Sequence, residues 1–261
     1  MKILLTNDDG FFAGGIQALA EEVRKHAEVF IVAPGTEQSG VSQAITFMRP
    51  LNPKPVVEDG GLIGYTLNGT PTDCVRLGLH ELCPFKPDLV ISGINNGLNV
   101  GCNVCHSGTV GGAYAASMFD VRAVALSVES SDDPKFDNVS VMAWPLIEKL
   151  AAASWPARTV CNINFPSIVA ERNELTEVLA VPVETNPLGY QYQSGRDPKD
   201  KPYFWATNHP APQASDFLTD TQAVRQGYVT VSMLGYDPNH AAGNQQLGQV
   251  FSSEPIQDSN Q

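Results

Sequence analysis

Residues 2–33 read KILLTNDDGFFAGGIQALAEEVRKHAEVFIVA, and their rhythm decides the fold class. A short apolar run, Lys2–Thr6, ends in the acidic turn Asn7-Asp8-Asp9-Gly10; apolar residues then recur at helical spacing over Ile16–His26, and a second β-rich run covers Val29–Ala33. Strand, helix, strand within about thirty residues is a βαβ unit, whose crossover makes the two strands parallel. The same alternation continues, with helices expected at Pro71–Leu82, Thr109–Phe119 and Ser140–Ala153 and strands at Asp88–Ser92, Ala123–Val128 and Thr159–Asn164. This pattern predicts an α/β architecture, a parallel-rich sheet flanked by helices on both faces. The helix at Pro71 carries its own start signal: Thr70 caps free amides, Pro71 suits the first helical position and Asp73 the positive end of the dipole.

The rhythm changes after Pro166. Pro182, Pro187, Gly189, Gly195, Pro198, Pro202, Pro210 and Pro212 punctuate a polar stretch bearing Tyr190, Tyr192, Tyr203, Phe204 and Trp205. Extended hairpins suited to gripping another subunit are expected there, followed by a closing strand at Gly227–Leu234. The chain thus divides into a core at 1–166, a hairpin region with its closing strand at 167–239, and a flexible tail at 240–261, where apolar content is low.

With 28 Asp and Glu against 16 Lys and Arg, the net charge is −12. A polymeric nucleic acid or an anionic membrane is therefore excluded as the main partner, since both require clustered cations. The apolar stretch Ile3–Leu5 stops at Thr6, far short of the roughly 7–15 residues of a signal-peptide core, so the expected location is cytoplasmic. Five scattered cysteines, an odd number, fit reduced thiols better than a disulfide framework.

Four post-strand segments carry candidate chemistry. In open parallel sheets ligands bind beyond the carboxyl ends of the strands, where Asp8 and Asp9 lie after the first strand. A turn before Gly10 lets two adjacent acids aim at one point, which is costly without a cation; read alone, they serve equally as turn and capping residues. Ser39 follows the second strand, and Asn95 the strand at 88–92. Carboxylate, hydroxyl and amide oxygens together suit one Mg²⁺ or Mn²⁺ better than structural Zn²⁺. Ser107-Gly108-Thr109 opens a helix, and its amides and hydroxyls form an anion site without lysine, or an ordinary cap.

Other matches fail on context. Cys102-Asn103-Val104-Cys105-His106 matches a haem-attachment pattern but sits inside the α/β alternation without an export signal, and no second CxxC completes a zinc site. Its thiols read as incidental packing residues. Gly40-Val41-Ser42-Gln43-Ala44 lacks the final glycine of a nucleophile elbow. Neither a P-loop nor a G-x-G-x-x-G fingerprint is present.

Taken in order, MKILLTNDDG, VAPGTEQSGVSQAIT, NGTPTDCVRLGL, PDLVISGINNGLNVG, HSGTVGGA and NINFP resemble the SurE family of survival-protein nucleotidases, and SGRDPKDKPYFWA and QGYVTVS extend the likeness to about residue 232. The resemblance implies a Rossmann-like body with an extended C-terminal β-hairpin region used in a homodimer or homotetramer. It implies a divalent-metal-dependent phosphatase acting on nucleoside 5′-monophosphates, often 3′-monophosphates, and in some members polyphosphate. The family's metal ligands fall on Asp8, Asp9, Ser39 and Asn95, with Asp8 and Asp9 also the catalytic candidates. Its phosphate-binding segment falls on Ser107, Gly108 and Thr109; on the mechanism expected here, Asn95 is a further phosphate contact. The chain departs from the family at Thr36, Gln38, Cys102, Asn103 and Ala115, where charged residues are common. Two other classes compete: a non-catalytic Mg²⁺-dependent nucleotide-binding module, and a serine esterase using Ser39 or Ser42.

Overall fold

The computed structural model describes all residues except 176, 187–190, 208–214, 237–238, 240 and 252–261. Its core elements are β1 (Lys2–Thr6), α1 (Gly14–Arg24), β2 (Glu28–Pro34), β3 (Lys54–Glu58), β4 (Gly61–Leu67), α2 (Pro71–Leu77), β5 (Leu89–Asn96), α3 (Gly108–Ser117), β6 (Arg122–Val128), α4 (Phe136–Ala152) and β7 (Thr159–Phe165). They are followed by α5 (Ser167–Arg172), β8 (Val178–Ala180), β9 (Gln191–Arg196), β10 (Pro202–Thr207), α6 (Asp220–Arg225), β11 (Val229–Gly235) and α7 (Ala241–Phe251). Nine strands form one sheet in the order β3-β4-β2-β1-β5-β6-β7-β11-β8. From β4 to β7 every neighbouring pair is parallel, while β3 and β11 pair antiparallel with β4 and β7. The expected α/β fold is the one observed.

The central strands are buried on both faces, which explains their unbroken apolar runs. Their side chains alternate between two cores. Ile3, Leu5, Ile31, Ile91 and Leu126 meet Ile16, Leu19 and Val23 of α1 and Val139, Ala143 and Ile147 of α4. On the other face Leu4, Val32, Val90 and Ala125 meet Val75 of α2 and Val110, Ala113 and Ala116 of α3. α3 is built largely of small residues, which lets it lie close on the sheet. A Cβ on Gly112 would stand 3.1 Å from Ser92 Oγ and 3.2 Å from Thr6 Cγ2, and one on Gly111 only 2.2 Å from the Ser42 carbonyl oxygen.

Several elements differ from the sequence expectation. The helix expected over 71–82 is α2 followed by a single π turn, Gly78–Leu82, in which the Cys83 amide donates to Gly78 O at 3.0 Å. Thr70 and Asp73 form a reciprocal capping box, and Asp73 also accepts from the Thr46 amide at 3.0 Å, tying down the loop after Ser39. The β3–β4 hairpin is additional. Its signal is Asp59-Gly60, with φ of 48° and 79°, a turn chemistry typical of two-residue hairpins, while the flanking strands are too exposed to show a clean period.

β9 and β10 form a separate antiparallel hairpin with Tyr192, Phe204 and Trp205 exposed, and β11 supplies the closing strand. Within the segment expected as a tail, Ala241–Phe251 is helical with no buried residue; residues 252–261 lie outside the described residues, as do Pro187, Gly189, Tyr190, Pro210 and Pro212. No helix among the described residues is long and apolar enough to cross a membrane.

From β1 the chain builds outward through β2 to β4, then returns to the other side of β1 as β5. The loops leaving β1 and β5 therefore diverge, opening a crevice at the carboxyl ends of these strands.

Candidate active site

The turn after β1 is closed by its own side chain. Asn7 Oδ1 accepts from the Gly10 amide at 3.2 Å, Asn7 Nδ2 donates to Gly10 O at 2.9 Å, and Gly10 has φ +110°. Asp8 is buried, at 4% exposure, and its Oδ1 accepts from Thr109 Oγ1 at 2.6 Å. Burial pushes the Asp8 carboxyl above its usual range, the Thr109 hydrogen bond opposes this, and the charge of Glu37 adds to it. Asp9 is pushed up to about 6, first by burial and then by the charges of Asp8 and Glu37.

The second loop is joined to the first through the Gln38 amide, which donates to Asp8 O at 2.7 Å. Ser39 Oγ donates to Glu37 Oε1 at 2.7 Å, and Ser42 Oγ to the Cys105 carbonyl at 2.7 Å. Among the described residues neither hydroxyl hydrogen-bonds a histidine, so the arrangement that activates a serine nucleophile is not formed among them.

Asn95 is set by an irregularity in β5. The pairing with β6 shifts register between Ser92 and Asn95, a device that re-aims side chains beside sites. Only glycine fits at Gly93, whose φ is +139° and whose Cβ would fall 2.2 Å from Leu126 O. Asn95 Nδ2 donates one of its two hydrogens to Gly97 O at 2.7 Å, which leaves the amide oxygen and the second hydrogen to act in the site.

Ser107 caps α3, its Oγ accepting from the Val110 amide at 3.1 Å. A Cβ on Gly108 would lie 2.9 Å from both Asp8 Cβ and Asp8 Oδ2, so the helix start abuts the acid. Asp8, Asp9, Ser39, Asn95 and Ser107 line one cavity of about 430 Å³. Gly108 and Thr109 stand behind this wall. The Thr109 hydroxyl is fully buried and spent on Asp8, and its backbone amide also faces the Asp8 carboxyl.

Sequence reasoning missed Glu37, Asn96, Asn99, Asn103 and His106, which also line the cavity. It also missed what holds the long loop in place. Asn162 Nδ2 and Asn164 Nδ2 donate to Asn99 O at 2.8 and 3.1 Å, the Asn99 amide donates to Asn164 Oδ1 at 2.8 Å, and Asn99 Nδ2 reaches Ser127 Oγ at 2.8 Å. The Gly101 amide, two residues on, donates to the fully buried Asp220, which also accepts from the Glu184 amide, each at 2.9 Å. The available signal was Asn162 and Asn164 themselves, two amides on one face of an interior strand. Cys102 Sγ lies 3.5–3.8 Å from the carbonyl oxygens of Glu184, Thr185 and Asn186, and all five cysteines are free thiols.

Known proteins share this arrangement of chain. The family model described as "Survival protein SurE" matches residues 3–185. The chain is 42% identical over 240 residues to the 5′-nucleotidase SurE of Rhodopirellula baltica, covering 91% of this chain and 93% of that one. It is 37% identical over 240 residues to the 5′-nucleotidase SurE 1 of Thermus thermophilus, covering 91% and 92%. The crystal structure of the SurE protein from Aquifex aeolicus superposes with a TM-score of 0.82 at 31% identity, covering 96% of this chain and 99% of that one. A family match over most of the chain, on the same fold, means that this chain belongs to the SurE family.

Proposed function

We propose that this chain is a divalent-metal-dependent phosphatase that hydrolyses nucleoside 5′-monophosphates to nucleoside and phosphate, with 3′-monophosphates and polyphosphate as further substrates. The observation that carries this reading is the approach of the α3 start to Asp8, at a distance only a glycine permits. An ion held by the acids and a phosphate held by the helix amides would then be neighbours. The relatives named 5′-nucleotidase SurE support the substrate class.

The donor set suits the cation. Asp8, Asp9 and Glu37 share the cavity, and no lysine or arginine is among the described residues that line it. Among the described residues no three His, Cys, Asp or Glu side chains form a metal cluster by themselves, so Ser39 and Asn95 oxygens would complete a set of hard ligands for one Mg²⁺ or Mn²⁺ per subunit. When bound, such an ion supplies Lewis-acid polarisation of the phosphoryl oxygen and acidifies water. Asp8 and Asp9 would hold it, and one of the pair takes the proton of the attacking water. Asn95, Ser107 and the amides of the Gly108–Thr109 turn steady the equatorial oxygens as charge develops.

The exposed aromatic residues of the β9–β10 hairpin, with Leu247, Val250 and Phe251 of α7, suit a subunit contact in a homodimer or homotetramer, measurable by light scattering. The five free thiols suit a reducing, cytoplasmic compartment. The direct test is phosphate release from AMP with Mn²⁺: EDTA is expected to abolish it, and Asp8→Asn to remove nearly all of it with the fold retained. Nucleotide binding without release favours a non-catalytic module, and an active Asp8→Asn enzyme overturns the mechanism.

A further inference from the structure

A phosphomonoester of ribose has a poor leaving group. As the P–O bond breaks, the 5′-oxygen departs as an alkoxide unless it receives a proton, and the acid pair is engaged on the other side of the reaction. A proton donor for that oxygen must come from the wall of the same cavity. Among the described residues lining it, the side chains are three carboxylates, four amides, two serine hydroxyls, a leucine and a single imidazole, that of His106.

We propose that His106 is the general acid that protonates the departing ester oxygen, an assignment that rests on the phosphatase reading above. His106 immediately precedes Ser107, the residue that caps the phosphate-facing end of α3. Its backbone is fixed: the His106 amide donates to Asn103 O at 2.9 Å, and its carbonyl accepts from the Ser42 amide at 3.0 Å. Its side chain is exposed and hydrogen-bonds no described residue. A pinned backbone with an uncommitted ring is what a group that engages only bound substrate requires, since a ring already paired would have to break that bond first.

The step balances. Water oxygen bonds to phosphorus as the ester P–O bond breaks; the water's proton leaves through the acid pair, and the imidazolium proton passes to the 5′-oxygen. The products are phosphate and the nucleoside alcohol, and the ring is reprotonated from solvent.

The test uses leaving-group dependence, because a nitrophenolate departs without a proton and an alkoxide does not. His106→Asn and wild type are assayed with Mn²⁺ on AMP and on p-nitrophenyl phosphate. The ratio of AMP to p-nitrophenyl phosphate turnover is expected to fall by about 10²–10⁴ in the variant, the usual contribution of a positioned acid. An unchanged ratio, with both activities lowered equally or both retained, overturns the assignment and leaves the phosphatase reading standing. A wild type inert on both substrates overturns that reading, and this assignment with it.

Discussion

Replacing Gly108 with alanine adds one methyl group at the contact between α3 and Asp8. Gly108 has an ordinary helical backbone, so the obstacle is space and not conformation. The new Cβ would lie 2.9 Å from Asp8 Cβ, 2.9 Å from Asp8 Oδ2 and 3.0 Å from Gln38 O. Carbon contacts relax to about 3.5–4.0 Å, so these atoms must retreat by about half an ångström. None yields cheaply: Asp8 Oδ1 is held by Thr109, and the Gln38 amide ties the second loop to Asp8 O. Overpacking of this kind costs about 1–3 kcal/mol. The larger effect falls on chemistry, because a misplacement of about 1 Å costs on the order of 10²-fold in rate. Gly108→Ala is therefore expected to lower kcat for AMP by roughly 10- to 100-fold with its circular dichroism spectrum unchanged. Phosphate release is measured at saturating Mn²⁺, with Gly248→Ala, where a Cβ meets nothing within 4 Å, as the neutral control. A Gly108→Ala enzyme with wild-type kcat and wild-type metal dependence refutes the claim that α3 and Asp8 are in contact.

Thr109→Val keeps the shape of the buried side chain but removes the 2.6 Å donor to Asp8; residues that orient a ligand typically matter about 10- to 100-fold in metal affinity, so half-maximal activity should require correspondingly more Mn²⁺, and an unchanged metal titration counts against it. Asp220→Ala strands the Gly101 and Glu184 amides at a cost of about 1–3 kcal/mol each, so urea midpoint and AMP turnover should fall together; a full-stability variant contradicts the buried network. Glu184 is buried, and the Asn186 amide, with Ser215 and Thr219, holds its carboxyl below the ordinary 4.5. A lowered folded pKa gives stability that is present above the unfolded value and lost as pH falls through the folded one. The melting-temperature advantage of wild type over Glu184→Gln should thus be full at neutral pH and shrink below about 4.5, and an advantage that grows on acidification would reverse the assignment.

The elements of the core were legible because each central strand, buried on both faces, reads as an unbroken apolar run, and α1 and α4, buried on one face, carry a helical period. The four candidate loops could be picked out because they follow parallel strands, although each of them read alone serves equally as a turn or a cap. The β3–β4 hairpin escaped because exposed strands carry no such period, and the clamp on Asn99 escaped because amides within an apolar run look like exceptions until their partner is seen.

The sequence by itself determined which chemistry is present: two adjacent acids, oxygen donors, a helix start without lysine, and a net charge of −12. Only the tertiary structure decided how those groups combine. Asp8 and Thr109 are 101 residues apart, and Gly101 and Asp220 are 119 apart, so no local pattern relates them. The sheet order sets β1 beside β5, and the missing side chain of Gly108 lets α3 close on Asp8. That contact depends on through-space packing at a few tenths of an ångström, which periodicity and composition do not encode.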